Sequence, residues 1–122
     1  MSTAKQHITF GVFIPQGWKM ELVSIADPVA KWQKTVEVAQ LAEKLGYDSI
    51  WVYDHFHNVP RPAHETVFEC WTVIAAISQL TKKIRLGQMV GCNLYREPSL
   101  LAKITSTIDV ISGGRLDWGI GA

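Results

Sequence analysis

Apolar positions along this chain alternate between short continuous runs and longer stripes at helical spacing. Residues 8–14 form a continuous run of β-branched and aromatic side chains that stops at Pro15 and Gly17, which predicts a buried strand. Continuity without alternation points to burial on both faces, as in a parallel sheet. Residues 49–53, 84–90 and 116–120 predict three further strands. Between them lie three helical stripes. Asp27-Pro28 opens the first, with Asp as N-cap and Pro at the first helical position. Its apolar stripe runs through Val29, Trp32, Val36, Ala39, Ala42 and Leu45, and Gly46 closes it. Thr66 and Glu69 have capping-box spacing ahead of a second helix through Trp71, Ile74, Ala75, Ile77, Ser78 and Leu80. Pro98 opens a third, with Leu101, Ile104, Ile108 and Ile111 on one face and Gly113-Gly114 at its end.

Strand starts at Ile8, Ser49, Ile84 and Leu116 recur at the length of a βαβ unit. Parallel strands with right-handed helical crossovers follow, in one α/β domain over residues 1–122 with no internal boundary. A doubly wound sheet and a β/α barrel both fit this order. A barrel has eight units in about 250 residues, so this chain corresponds to its N-terminal half. On that reading helices cover only the outer face. Inner residues of strands such as 8–14 and 50–52 then lie bare between two unpaired edges. The expectation is a homo-oligomer, or association with a C-terminal half that completes the ring.

Composition narrows the partners. Twelve Lys and Arg against eleven Asp and Glu leave a formal charge of +1, which provides no general field for nucleic acid or an anionic membrane. No apolar run approaches the ~20 residues of a membrane-spanning helix, and residues 1–6 lack the apolar core of a secretion signal. Cys70 and Cys92 are too few for a disulfide framework, so reduced thiols in the cytoplasm are expected.

In both architectures chemistry sits at the C-terminal ends of the strands. Pro15-Gln16-Gly17, Asp54-His55, the segment from Val90 through Gly91 and Cys92 to Asn93, and Gly121-Ala122 occupy those ends. Asp54, His55, Val90, Gly91, Asn93 and Ala122 are therefore expected to converge on one mouth. An imidazole there exchanges protons near neutral pH and a carboxylate orients it, although His55 also reads as an ordinary loop histidine. His55, His57, His64 and Glu65 match no closed zinc spacing, and solvated loop histidines with no metal are the simpler reading. Cys92 reads as a small spacer, and Gly119-Ile120-Gly121 lacks the third glycine and the helix of a dinucleotide fingerprint. Trp32, Trp51 and Trp71 fall at core spacing.

Four ordered segments carry a resemblance: residues 10–16 (FGVFIPQ), 45–56 (LGYDSIWVYDHF), 84–87 (IRLG) and 109–116 (DVISGGRL). Together they resemble the N-terminal part of the bacterial-luciferase-like superfamily, and with residues 92–98 (CNLYREP) its deazaflavin-dependent branch. The resemblance implies a TIM-type barrel that binds coenzyme F-420, or FMN, at its C-terminal mouth. It implies hydride transfer between the deazaflavin and a small organic substrate, with Asp54 beside the cofactor ring and His55 as the catalytic proton-transfer residue. It further implies a cis peptide near Met89-Val90 that supports one face of the ring. The family continues beyond residue 122 into four more strands, so the cofactor site of this chain is expected to be incomplete. Two alternatives stay open: an FMN-dependent monooxygenase, and a catalytically silent half-barrel that self-assembles. A metal-dependent hydrolase built on the histidines is the most remote.

Overall fold

Seven elements follow one another in a computed structural model that describes residues 8–61 and 63–121. They are β1 (Gly11–Phe13), α1 (Pro28–Leu45), β2 (Ser49–Val52), α2 (Cys70–Leu80), β3 (Arg85–Gly91), α3 (Pro98–Ser112) and β4 (Leu116–Ile120). The strands form one parallel sheet in the order β1-β2-β3-β4. The predicted α/β half-barrel arrangement is the one observed, and the doubly wound alternative, which needs a reversed strand order, is not.

Each helix starts and stops for a local reason. The Asp27 carboxylate accepts from the amides of Val29 and Ala30, and Pro28 supplies the first turn of α1. Gly46 and Gly113 end α1 and α3 in the left-handed region, where no Cβ opposes the turn. At α2 the structure corrects the predicted capping box. Glu69 is itself the N-cap, and its carboxylate accepts from the amides of Trp71 and Thr72 at 3.2 and 2.8 Å. The preceding segment is held extended: Phe68 N donates to Gln16 O at 3.0 Å, and Gln16 Nε2 donates to Phe68 O at 2.6 Å. Thr66 therefore cannot start a helix.

All three helices cover the same face of the sheet. Ala39 and Ala42 of α1, Val73 and Ile77 of α2, and Leu101 and Ile108 of α3 join Ile50, Val52 and Leu86 in one buried cluster. Burial of this kind is the main favourable term, roughly 25 cal/mol per Å² of apolar surface. The cluster corrects two expectations. Ile50 and Val52 point under the helices and not toward the inside of a barrel. The buried face of α1 is Lys31, Thr35, Ala39 and Ala42, whereas Val29 and Leu45 are exposed. Polar groups enter that face because each finds a partner: Lys31 pairs with Glu65 at 2.5 Å, and the Thr35 hydroxyl donates to Pro15 O at 2.8 Å. Ile111 and Leu80, placed by periodicity on core faces, are partly exposed.

Among the described residues nothing covers the opposite face of the sheet. It carries Phe13, Trp51 and a forked ion pair in which Arg85 donates to both oxygens of Asp117 at 2.8 and 2.6 Å. Trp51 lies flat across β3 because residue 87 is glycine; a Cβ there would sit 2.2 Å from the indole ring. β1 is shorter than predicted. As an edge strand it pairs only over Gly11–Phe13, and Ile8 and Phe10 stay exposed. The predicted burial of that run on both faces therefore does not hold.

One carboxylate organises the end of the sheet opposite the strands' C-termini. Glu43 Oε1 accepts from the amides of Lys82, Lys83 and Ile84 at 2.8, 2.6 and 3.0 Å, which ties α1 to the turn between α2 and β3. Burial pushes its pKa up, but the three amides outweigh burial and hold it below the ordinary carboxylate value. Replacing Glu43 with Ala is expected to cost about 1–3 kcal/mol at neutral pH. A depressed folded pKa contributes stability above the unfolded value, about 4.3, and loses it as pH falls through the folded one. Urea unfolding of parent and E43A at several pH values should thus show a gap that is full at pH 7 and closes in acid.

Candidate active site at the strand ends

The C-terminal ends of β1, β2 and β3 meet at one rim, where a cavity of about 540 Å³ opens. Gln16 joins the first two ends. Its buried side chain donates to Tyr53 O at 2.8 Å and accepts from Tyr53 N at 2.9 Å. The following turn passes close under the segment before α2, and only glycine fits at residue 17. Its φ is +95° and a Cβ would lie 2.0 Å from Thr66 O. Asn58 Nδ2 donates to Gly17 O and Val59 N to Trp18 O, so the loop after β2 is laced to the loop after β1.

That lacing sets the imidazole of His55 on the indole of Trp18, ring centroids 4.0 Å apart and planes 7° from parallel. Trp18 in turn meets Tyr53 at 4.3 Å, and Tyr53 stacks on Phe13 at 4.2 Å. Covering one face of the imidazole removes water from it and lowers its pKa, against the opposing charge of Asp54. The shift favours the neutral imidazole, the form that can accept a proton. The indole N–H of Trp18 is buried and has no hydrogen-bond partner among the described residues.

Asp54 is buried and its carboxylate is fully engaged. Arg96 donates to its two oxygens at 2.7 and 2.9 Å, Cys92 N at 3.0 Å and the Cys70 thiol at 3.3 Å. Burial raises its pKa, but these donors together hold it below the ordinary value. Arg96 also donates to Glu69 at 2.5 Å, so one guanidinium joins the end of β2 to the cap of α2. Asp54, Glu69 and Cys70 offer ligand atoms within 4.8 Å of one another. The guanidinium lies among them as their cation. Burial and the two carboxylates push the Cys70 thiol pKa far up, which leaves it protonated and a poor metal ligand. Glu65, grouped with the histidines by sequence, pairs with Lys31.

The structure therefore brings Asp54, His55, Met89, Val90, Gly91 and Asn93 to the same cavity. Ala122 lies outside the described residues. The Met89–Val90 peptide is cis, at a register shift between Gln88 and Gly91. Trp18, Tyr53, Leu94 and Tyr95 also line the cavity and were not singled out by spacing. Arg96 was not singled out either, and Glu69 was singled out only as part of a helix cap. The sequence signal for Arg96 was its position between a strand-end loop and the helix-opening Pro98, which alone assigns no partner.

Residues 8–122 match the family described as luciferase-like monooxygenase. The chain belongs to that family. It is 34% identical over 90 residues to an F420-dependent glucose-6-phosphate dehydrogenase of Amycolatopsis mediterranei, covering 71% of this chain and 26% of that protein. It is 29% identical over 121 residues to 4-hydroxyprotoasukamycin monooxygenase of Streptomyces nodosus subsp. asukaensis, covering 96% and 29%. Its fold matches the oxygenating constituent of a 3,6-diketocamphane monooxygenase of Pseudomonas putida, solved with FMN, with a TM-score of 0.74 at 22% identity, covering 95% and 30%. The chain thus spans between a quarter and a third of these proteins. The relatives thus include an F420-dependent dehydrogenase and a monooxygenase. Among the described residues no helix is long and apolar enough to cross a membrane.

Replacing Asp54 with Asn leaves the Arg96 guanidinium short of one carboxylate while Glu69 remains. The expected cost is about 3 kcal/mol, read as a lower urea midpoint at unchanged slope.

Proposed function

We propose that this chain is the N-terminal portion of an oxidoreductase that uses the deazaflavin coenzyme F-420 on a small organic substrate. One observation carries the reading: His55, stacked on Trp18, lines the same cavity as the Met89–Val90 segment. The residues present fit a flat heteroaromatic group with carbonyls. The cavity is of ligand size, its floor is apolar at Met89 and Val90, and the buried Trp18 N–H lacks an acceptor. Bound there, the deazaflavin would supply hydride transfer. Met89, Val90, Gly91 and Asn93 would hold it. Asp54 would act at one remove, by fixing the loops on either side. His55 would accept or return the accompanying proton at a ring nitrogen, and the indole over its face keeps water from that side. The F420-dependent relative at 34% identity supports the deazaflavin. The monooxygenase relative supports a second reading as a monooxygenase, for which we propose FMN in the same place. A cytoplasmic location, where thiols stay reduced, goes with this reading.

Absorbance titration of the chain with coenzyme F-420 and, separately, with FMN tests the cofactor. Tighter binding of FMN would favour the second reading. In a protein competent for turnover, His55→Asn is expected to lower kcat about a hundredfold while cofactor affinity stays close to that of the parent. Equal loss of both would assign His55 to binding alone.

The uncovered sheet face bears on partners. Among the described residues no layer lies over the sheet face that carries Phe13 and Trp51, and β1 and β4 are the edges of the sheet. We infer that they are covered by a second copy or by further barrel polypeptide. Light scattering at micromolar concentration should show association of the chain. A stable monomer that binds no hydrophobic dye would overturn this.

A further inference from the structure

Arg96 lies just before α3, and its side chain is 9% exposed. Its guanidinium reaches three parts of the rim at once. It grips both oxygens of Asp54 at the end of β2, one oxygen of Glu69 at the cap of α2, and it lies 5.7 Å from the ring of Phe56. Phe56 stacks on Tyr95 at 4.2 Å, so the arginine, its neighbour in sequence and the residue after His55 form one packed group. Asp54 Oδ2 also takes the amide of Cys92. Apart from that Tyr95 stack the loop between Cys92 and Arg96 has little packing: Leu94 is 87% exposed, and a turn bond, Tyr95 N to Cys92 O at 3.3 Å, spans it. The placement of Asn93 and Leu94 over the cavity is therefore set at the loop's two ends, and both ends are held by Asp54. His55 follows Asp54 directly, so the same anchor places the imidazole.

We propose that Arg96 is the positioning residue of this mouth. Through Asp54 it holds the 92–95 wall and the His55 segment as one rigid unit, and the planar fork of its guanidinium supplies the counter-charge to both Asp54 and Glu69. A lysine cannot replace it, because an ammonium lacks the fork needed to bridge both oxygens of Asp54 and reach Glu69 together. The role of that wall in ligand binding rests on the proposed cofactor site.

The test is amide hydrogen exchange on the full chain, paired with titration by coenzyme F-420 and by FMN. Arg96→Lys keeps the charge and loses the fork. The Asp54→Asn, Arg96→Met double variant removes both charges, so that no bare Asp54 carboxylate remains if the single variant fails to fold. In whichever variant folds, the Cys92 amide should exchange about tenfold faster while protection in the core of α1 and in β2 is unchanged. Affinity for the cofactor that the parent binds should fall about tenfold. Unchanged Cys92 exchange would overturn the proposal, as would faster exchange with unaltered affinity. Failure of both variants to fold would assign the cluster to stability and overturn it too. If the parent binds neither coenzyme F-420 nor FMN, the cofactor reading fails by itself, and Cys92 exchange still decides whether Arg96 holds the wall.

Discussion

A parallel ladder forces each connection to travel back the length of the sheet before the next strand can begin. The three crossovers here do so through α1, α2 and α3, all on one face, and every strand then delivers its C-terminal end to the same rim. The loops at that rim are free of the ladder and can be laced to one another. Gln16, Asn58 and Asp54 do this with side chains that hydrogen-bond the backbone of neighbouring loops. The geometry of His55, Trp18 and the Met89–Val90 segment follows from this arrangement and not from the local sequence around any one of them.

The two faces of the sheet differ in kind. Beneath the helices, Ile50, Val52 and Leu86 are excluded from water and packed by apolar neighbours from three helices. The other face offers aromatic rings and an ion pair with no layer above them among the described residues. Such a face is stable in water only to the extent that its rings cover one another, as Trp51 covers Gly87. The asymmetry is that of a barrel wall rather than of a sheet covered on both sides. It agrees with relatives in which this region is between a quarter and a third of the chain.

Burying Asp54 beside Glu69 would be strongly unfavourable without a counter-charge. Arg96 provides it, and the helix cap at Glu69 adds two backbone donors, so each carboxylate is held ionised by more than one partner. The arrangement makes the rim dependent on residues far apart in the chain. Arg96 is 42 positions from Asp54 and 27 from Glu69.

Element order, helix caps at Asp27 and Gly46, the parallel sheet and the family were legible in the sequence, because hydrophobic period, turn residues and ordered motifs are local properties. Strand-end placement also singled out Asp54, His55, Val90, Gly91 and Asn93, since a βαβ repeat dictates which end of each strand carries loops. Other features were settled only by tertiary structure. The cap of α2 moved from Thr66 to Glu69 because Gln16 holds the preceding segment extended. The buried stripe of α1 took in Lys31 and Thr35 because Glu65 and Pro15 lie opposite them. Ile50 and Val52 turned toward the helices because a strand's two faces are told apart only by what packs on each. Above all, Asp54 found Arg96 and His55 found Trp18. No spacing rule predicts such pairs, because the distance that makes them exists only after the sheet has brought three separate loops to one rim.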